Sequence, residues 1–298
     1  MMIFVLIWMA LISSAWAGQV VTQDVKVWAK KALAEEKAIQ AVAGKNTLAV
    51  LYFQNKTGQT GLDPLQKGIA LMLTTDLSKV KGIQVVERIK LQALVDELSL
   101  SVSGLVEPNT APRVGKLLGA QWIVGGLILE GKANQIQLQS NPLDVPAQEI
   151  LGQPTVEGPF VELFRVEKDL LFEIIKLLQI ELKPAEEVEL RKPCSKNPRA
   201  LTAFFKGIEA SDREDYKAAG EFYQRALKED PDICGASEGL RELQTLGLFA
   251  GKKKSQEMLQ SIRERTSLTD QLAPEDSVKR VKKPKEIPSP VSIDLNFP

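Results

Sequence analysis

The chain has 298 residues, 38 Lys and Arg against 38 Asp and Glu, and no histidine. The balanced charge supplies no field to draw the chain to nucleic acid or to an acidic membrane. The missing imidazole excludes a Ser-His-Asp triad, a Cys-His dyad and a His-ligated zinc site. Length alone allows one mid-sized domain and a small one.

The chain opens MMIFVLIWMALISSAWAGQ, an apolar run from Ile3 to Ile12 followed by Ala15-Trp16-Ala17 before Gly18. This has the form of a secretory signal with an A-x-A cleavage site, so residues 1–17 read as a signal peptide, with an uncleaved anchor as the alternative. No Lys or Arg precedes the run, and no cysteine near Gly18 invites a lipoprotein anchor. Export to the periplasm is the expectation, with no membrane span left after cleavage. Val21, Val25, Trp28, Ala32, Ile39 and Val42 then share one face of a predicted helix over Thr22–Val42. That face is expected to dock on a sheet, or else to meet a partner. Its mixed charges speak against a membrane-surface helix.

TLAVLYF (Thr47–Phe53) is a short continuous apolar run, the pattern of a strand covered on both faces. NKTGQTGLDP follows as a turn-rich loop whose spacing matches no phosphate-binding fingerprint. Leu62, Leu65, Ile69, Leu73 and Leu77 have helical spacing, and IQVVE (Ile83–Glu87) reads as a second strand, parallel to the first. Glu87-Arg88 closes it, with Arg88 expected to anchor an ion pair or a helix start. Further helices are predicted over Ile89–Leu100 and Ala111–Leu118, then a strand at Gln121–Glu130 and a half-wet strand at Asn134–Ser140. A strand within Ala147–Val156 is confined to an edge by Pro146 and Pro154. A helix running through Val161–Leu178 ends the unit.

LAVLYFQN, VVER, the ELSL helix end at Glu97–Leu100 and GKLLGA before QWIVGG occur together and in this order. In this the stretch from about 45 to 180 resembles the CsgG family of curli production assembly/transport components, close to the TolB amino-terminal-like fold. The resemblance implies an α/β mixed sheet flanked by helices over 18–182, and envelope assembly or secretion work rather than catalysis. Envelope proteins, including outer-membrane assembly or secretion components, are the implied partners. The family's pore is not implied, because the hairpin Gln121–Ser140 is no longer than a soluble sheet needs and lacks an aromatic girdle.

Residues 183–198 are polar and proline-bounded, a predicted linker. ALTAFFKGIEASDREDYKAAGEFYQRALKEDPD resembles one tetratricopeptide repeat, with Gly207, Ala219, Ala226 and Pro231 at its structural positions. A small all-α domain is expected over 199–250, with Phe204 and Tyr223 filling the gap between its helices and also standing as candidate partner-binding aromatics. Cys194 and Cys234 flank the repeat; they either form a disulfide or stay as two buried thiols. From 251 the chain turns polar and Pro-rich, and KRVKKPK (Lys279–Lys285) reads as a solvated run. Val291, Ile293, Leu295 and Phe297 alternate with polar residues at the very end, a strand pattern suited to a partner's sheet or to an edge of this one.

No catalytic, cofactor-binding or metal-binding set emerges. A non-catalytic scaffold, monomeric or a small homo-oligomer, is the preferred reading. Its competitor is a ligand-binding protein or hydrolase with a site at the carboxyl ends of the strands, near Asn55, Lys56 and Glu87.

Overall fold

A computed structural model describes residues 19–37, 44–101, 105 and 110–250. The first strand, β1 (Thr47–Asn55), is buried from Leu48 to Phe53, as its unbroken apolar run requires. Helix α2 (Pro64–Leu77), whose first residue is a proline, follows it, and α1 (Gln23–Ala34) precedes it. β2 is shorter than the predicted strand, only Gln84–Val85, and it pairs parallel to β1. Helices α3 (Arg88–Glu97) and α4 (Thr110–Leu118) lead to β3 (Trp122–Glu130), which lies parallel on the other side of β1.

β4 (Ile136–Ser140) folds back antiparallel on β3, with Ile128 opposite Leu138. The predicted edge strand is divided. β6 (Glu149–Ile150) joins β5 (Leu143–Asp144), whereas β7 (Thr155–Gly158) pairs with β4 and ends the sheet. The main path runs β2-β1-β3-β4-β7. Stepping from β1 to β2 and back past β1 to β3 reverses direction in the sheet. Right-handed crossovers therefore place α2 on one face and α3 with α4 on the other. The architecture is α/β, a mixed sheet flanked by helices, with α5 (Leu163–Leu177) packed beside α2 and behind β4 and β7.

Two expectations are corrected. The α1 face built on Val25, Trp28 and Ala32 packs on α3 rather than on the sheet; Ile39 and Val42 lie outside the described residues. The stretch read as a linker contains α6 (Pro184–Leu190), whose start is held by the Lys183 N–H donating to Glu186 Oε2 at 2.9 Å. Leu190 at its end is fully buried, so this segment is anchored in the core rather than solvated.

The helices α7 (Pro198–Asp212), α8 (Tyr216–Glu229) and α9 (Ala236–Thr245) complete the described chain. Asn197 caps α7 by accepting from the Arg199 and Ala200 N–H groups, and Asp215 caps α8 by accepting from Ala218. A Cβ on Gly207 would strike the Tyr223 ring, so that glycine sets how closely α7 and α8 approach. The same device joins this hairpin to the α/β layer: a Cβ on Gly68 of α2 would strike the Phe205 ring of α7. The two expected domains share one apolar core, and the described residues up to Phe249 fall in one compact unit.

Cys194 before α7 and Cys234 after α8 form a disulfide with Cα atoms 5.1 Å apart. Closing a loop of 40 residues in sequence separation restricts the unfolded chain by about 4 kcal/mol in the chain-entropy model. Urea denaturation with and without reductant should differ by up to that amount. A thiol assay on denatured, unreduced protein should find no free thiol, and two thiols per chain would contradict the pairing.

Candidate functional site

Arg88 is the first residue of α3, and its guanidinium is turned inward with its side chain 1% exposed. Nη1 donates to both oxygens of Asp212, at 3.0 and 2.9 Å, and to the Tyr52 hydroxyl at 3.3 Å. Nη2 donates to the Gln19 carbonyl at 3.0 Å. Lys67 of α2 reaches the same Asp212 at 2.6 Å and Gln92 Oε1 at 3.0 Å, and Tyr52 donates to Gln92 at 2.7 Å. Gln92 in turn donates to Asp96 Oδ1 at 2.7 Å. One buried carboxylate thus collects two cations and ties β1, α2, α3 and the end of α7 together.

Burial by itself would lower the Arg88 pKa, but Asp212, followed by Tyr52, carries it above the usual arginine value. Burial pushes the Tyr52 hydroxyl up, so it stays a neutral donor. Burial also raises the Asp96 carboxyl, against the hydrogen bond from Gln92. Reading Arg88 as an anchor identifies one end of this pair. Its partner lies 124 residues away in the polar phrase SDRED, where nothing local distinguishes Asp212 from a solvated turn residue. Glu87 is exposed, and among the described residues its carboxylate has only a 3.9 Å surface pair with Lys90.

A second buried ionic group lies between α2 and α5. Lys168 contacts Asp76 Oδ2 and lies 3.5 Å from Glu167 Oε2, while Lys79 holds the other Asp76 oxygen at 2.9 Å. Glu167 is fully buried, and neither of its carboxyl oxygens has a hydrogen-bond partner among the described residues. Burial, and secondly the Asp76 charge, push its pKa up to about 8, with Lys168 opposing only in part.

The residues singled out as candidate sites are distributed as follows. Asn55 is spent on its own loop: its amide donates to Gln59 O and Asp63 Oδ1, and its carbonyl accepts from Thr57. Among the described residues no hydrogen bond or ion pair joins Asn55, Lys56 and Glu87, which are not brought into one ionisable set. Phe204 edges the cavity described below without offering an exposed face, and Tyr223 is corrected as a partner-binding residue. They are 1% and 0% exposed with ring centroids 5.9 Å apart, filling the space between α7 and α8. Ala219 and Ala226 are buried on the same helix, and Pro231 follows its end at Glu229. Val291, Ile293, Leu295 and Phe297 lie outside the described residues.

Concave surface gathers instead at the short strand β2. A cavity of about 410 Å³ opens on the α2 side, lined by Leu71, Met72, Thr75, Val86 and Phe204, together with Gln19 and Gly235. A second, of about 430 Å³, opens beside Trp28, Lys90, Lys116 and Leu117, on the side of α3 and α4. Val85, Val86 and Glu87 line both. This site was not legible as a motif, because its walls come from positions as far apart as 19 and 235.

Two outcomes test the buried groups. Asp212→Asn strands both Arg88 and Lys67 and should cost about 3–5 kcal/mol in urea denaturation. Arg88→Met leaves Asp212 paired with Lys67 and should cost less, about 1–3 kcal/mol. The second outcome concerns pH. Glu167 has a carboxyl value of 4.5 when unperturbed and about 8 in the fold. The folded state therefore keeps a proton that the unfolded chain has lost. Stability present in full below about pH 4.5 falls as the pH rises to about 8, then levels off. Glu167→Gln should remove much of that slope, read as the denaturation midpoint across the same window.

Residues 29–135, rather over a third of the chain, match the family described as curli production assembly/transport component CsgG. The curated "Putative adenylate cyclase 3" of Rhizobium meliloti (strain 1021) is 23% identical over 199 residues, 66% of this chain and 32% of that protein. This chain therefore spans about a third of that relative's length. Among solved structures, the LpoB C-terminal domain from Salmonella enterica is 20% identical, covering 45% of this chain and 95% of that one, with a TM-score of 0.33. Lipoprotein GNA1162 from Neisseria meningitidis is 12% identical, covering 46% and 99%, with a TM-score of 0.31. The chain thus carries a CsgG-like stretch from the middle of α1 to the turn after β3.

Proposed function

We propose that this chain is a non-catalytic component of the bacterial cell envelope, exported to the periplasm, that works through contacts with other envelope proteins in assembly or transport. The observation carrying this reading is the CsgG match over 29–135, whose description names an assembly/transport component. The site supports it from a second direction. Two concave surfaces flank a sheet edge and are lined by apolar and mixed side chains, as suits a polypeptide surface. The buried ionic groups around Asp212 and Glu167 sit between packed elements and serve position rather than chemistry. The α7–α8 hairpin acts, in this reading, as a single tetratricopeptide-like unit capped by α9 and braced by the Cys194–Cys234 bridge. The chain operates as a monomer or small homo-oligomer.

A second reading follows from the curated relative, whose name assigns it a nucleotide cyclase activity. The chain spans less than a third of that protein, and the carboxyl ends of β1 and β2 hold Asn55 and Glu87 in separate surface roles. The contact reading is therefore preferred. Two measurements separate them. In-cell crosslinking followed by affinity purification should recover envelope proteins reproducibly. Purified protein incubated with ATP and magnesium or manganese should form no cyclic nucleotide. Cyclic nucleotide formation, or recovery of cytoplasmic proteins alone, would overturn the contact reading.

A further inference from the structure

β2 is an end strand of the sheet. Its ladder with β1 uses the N–H groups of Gln84, donating to Asn46 O at 2.9 Å, and Val86, donating to Leu48 O at 2.8 Å. Backbone groups alternate along a strand, so the Val85 N–H and C=O, and the Glu87 N–H, point away from β1. Among the described residues no strand pairs with this outer edge. Glu87 remains extended, with φ −60° and ψ 133°, so the edge continues beyond the two paired residues. Gln84 and Glu87 are exposed, and Val85 and Val86 are half-buried.

The two cavities give this edge a readable form. A strand laid along residues 85–87 would send successive side chains to opposite faces of the sheet. On one face they would meet the apolar wall of Leu71, Met72 and Phe204. On the other they would meet Lys90 and Lys116 beside Trp28. This second cavity carries two lysines against one carboxylate, Glu87, which lies 3.9 Å from Lys90.

We propose that the outer edge of β2 accepts an extended segment of a partner protein by strand addition. The segment's alternate side chains are apolar, for the α2-side cavity, and acidic, for the Lys90–Lys116 side. The ladder is short, so main-chain bonds fix the register and the two side-chain pockets supply selectivity. This inference rests on the reading of the chain as a protein-contact component and names the surface it uses.

The probes are two synthetic heptapeptides, one alternating valine with glutamate and one alternating valine with lysine. They would be titrated into the full chain with amide hydrogen exchange followed at Val85 and Glu87. The glutamate peptide should bind and protect both amides, and the lysine peptide should bind at least tenfold more weakly. Val85→Pro deletes an outward N–H that the fold does not use. It should weaken the glutamate peptide at least tenfold while leaving the denaturation midpoint near that of the parent. Thr75→Trp, which fills the α2-side cavity from a partly exposed helical position, should weaken it similarly without touching the backbone. Binding that both variants leave unchanged, or no binding by either peptide at millimolar concentration, would overturn the proposal. Self-association of the full chain that Val85→Pro abolishes, without peptide binding, would assign the edge to a second copy and also overturn it. If Val85→Pro still captures envelope proteins in cells while the peptides fail to bind, the edge is refuted and the contact reading stands.

Discussion

The structure depends on a single buried carboxylate. Asp212, at the end of α7, receives Arg88 from α3 and Lys67 from α2, with its own side chain 1% exposed. Such a group is weak evidence for net stability, because taking charges out of water offsets much of their attraction. Its consequence is positional. Once the Asp212 carboxylate and the Arg88 guanidinium are buried they must find partners, and this docking of the helical hairpin on the sheet brings them together with the half-buried Lys67. Gly68 contributes by omission: without a Cβ there, Phe205 can lie on α2 and bring α7 close enough for Asp212 to reach both cations. The amino-terminal segment is drawn into the same arrangement. The Gln19 carbonyl accepts from Arg88, and the Gln19 and Val20 N–H groups donate to Glu242 of α9 at 2.7 and 3.2 Å.

That docking also creates the surface assigned to function. The α2-side cavity exists because Phe204 and Gly235 of the helical part stand opposite Val85 and Val86 of the sheet. The second ionic group, around Glu167, sits on the far side of α2 and holds α5 against it. Helix α2 is thus gripped by buried charges at both ends, by Lys67 near its start and Asp76 near its finish. The edge strand beside it is therefore presented next to a helix held at both ends.

Local physics made the sheet legible. The unbroken apolar run Leu48–Phe53 could only be a strand covered on both faces, and the alternation Ile136, Leu138 against Gln137, Gln139 marked a strand with one wetter face. Helix α2 was visible in its spacing. What escaped were relations between distant residues. Gly68 reads in sequence as a tolerated helix-interior glycine, and its reason is an aromatic ring 137 positions later. The α1 pattern identified an apolar face without naming α3 as its neighbour. Helix α6 was hidden because PAEEVELRKP is polar in composition, although Leu190 alone is enough to anchor it. Phe204 and Tyr223 were expected both to fill the space between the repeat helices and to offer partner contacts. In the fold they fill the gap that Gly207 leaves.

The central claim is that sheet and helical hairpin form one cooperative unit, held in register by the buried charges. Native-state hydrogen exchange across a denaturant series tests it most directly. Amides of β1 between Leu48 and Phe53 and of α7 between Leu201 and Ile208 are expected to open with the same free energy and the same denaturant dependence. If the α7 amides exchange through a smaller opening while the β1 amides stay protected, the hairpin is a separate unit, and the buried ion pair does not bind the fold together.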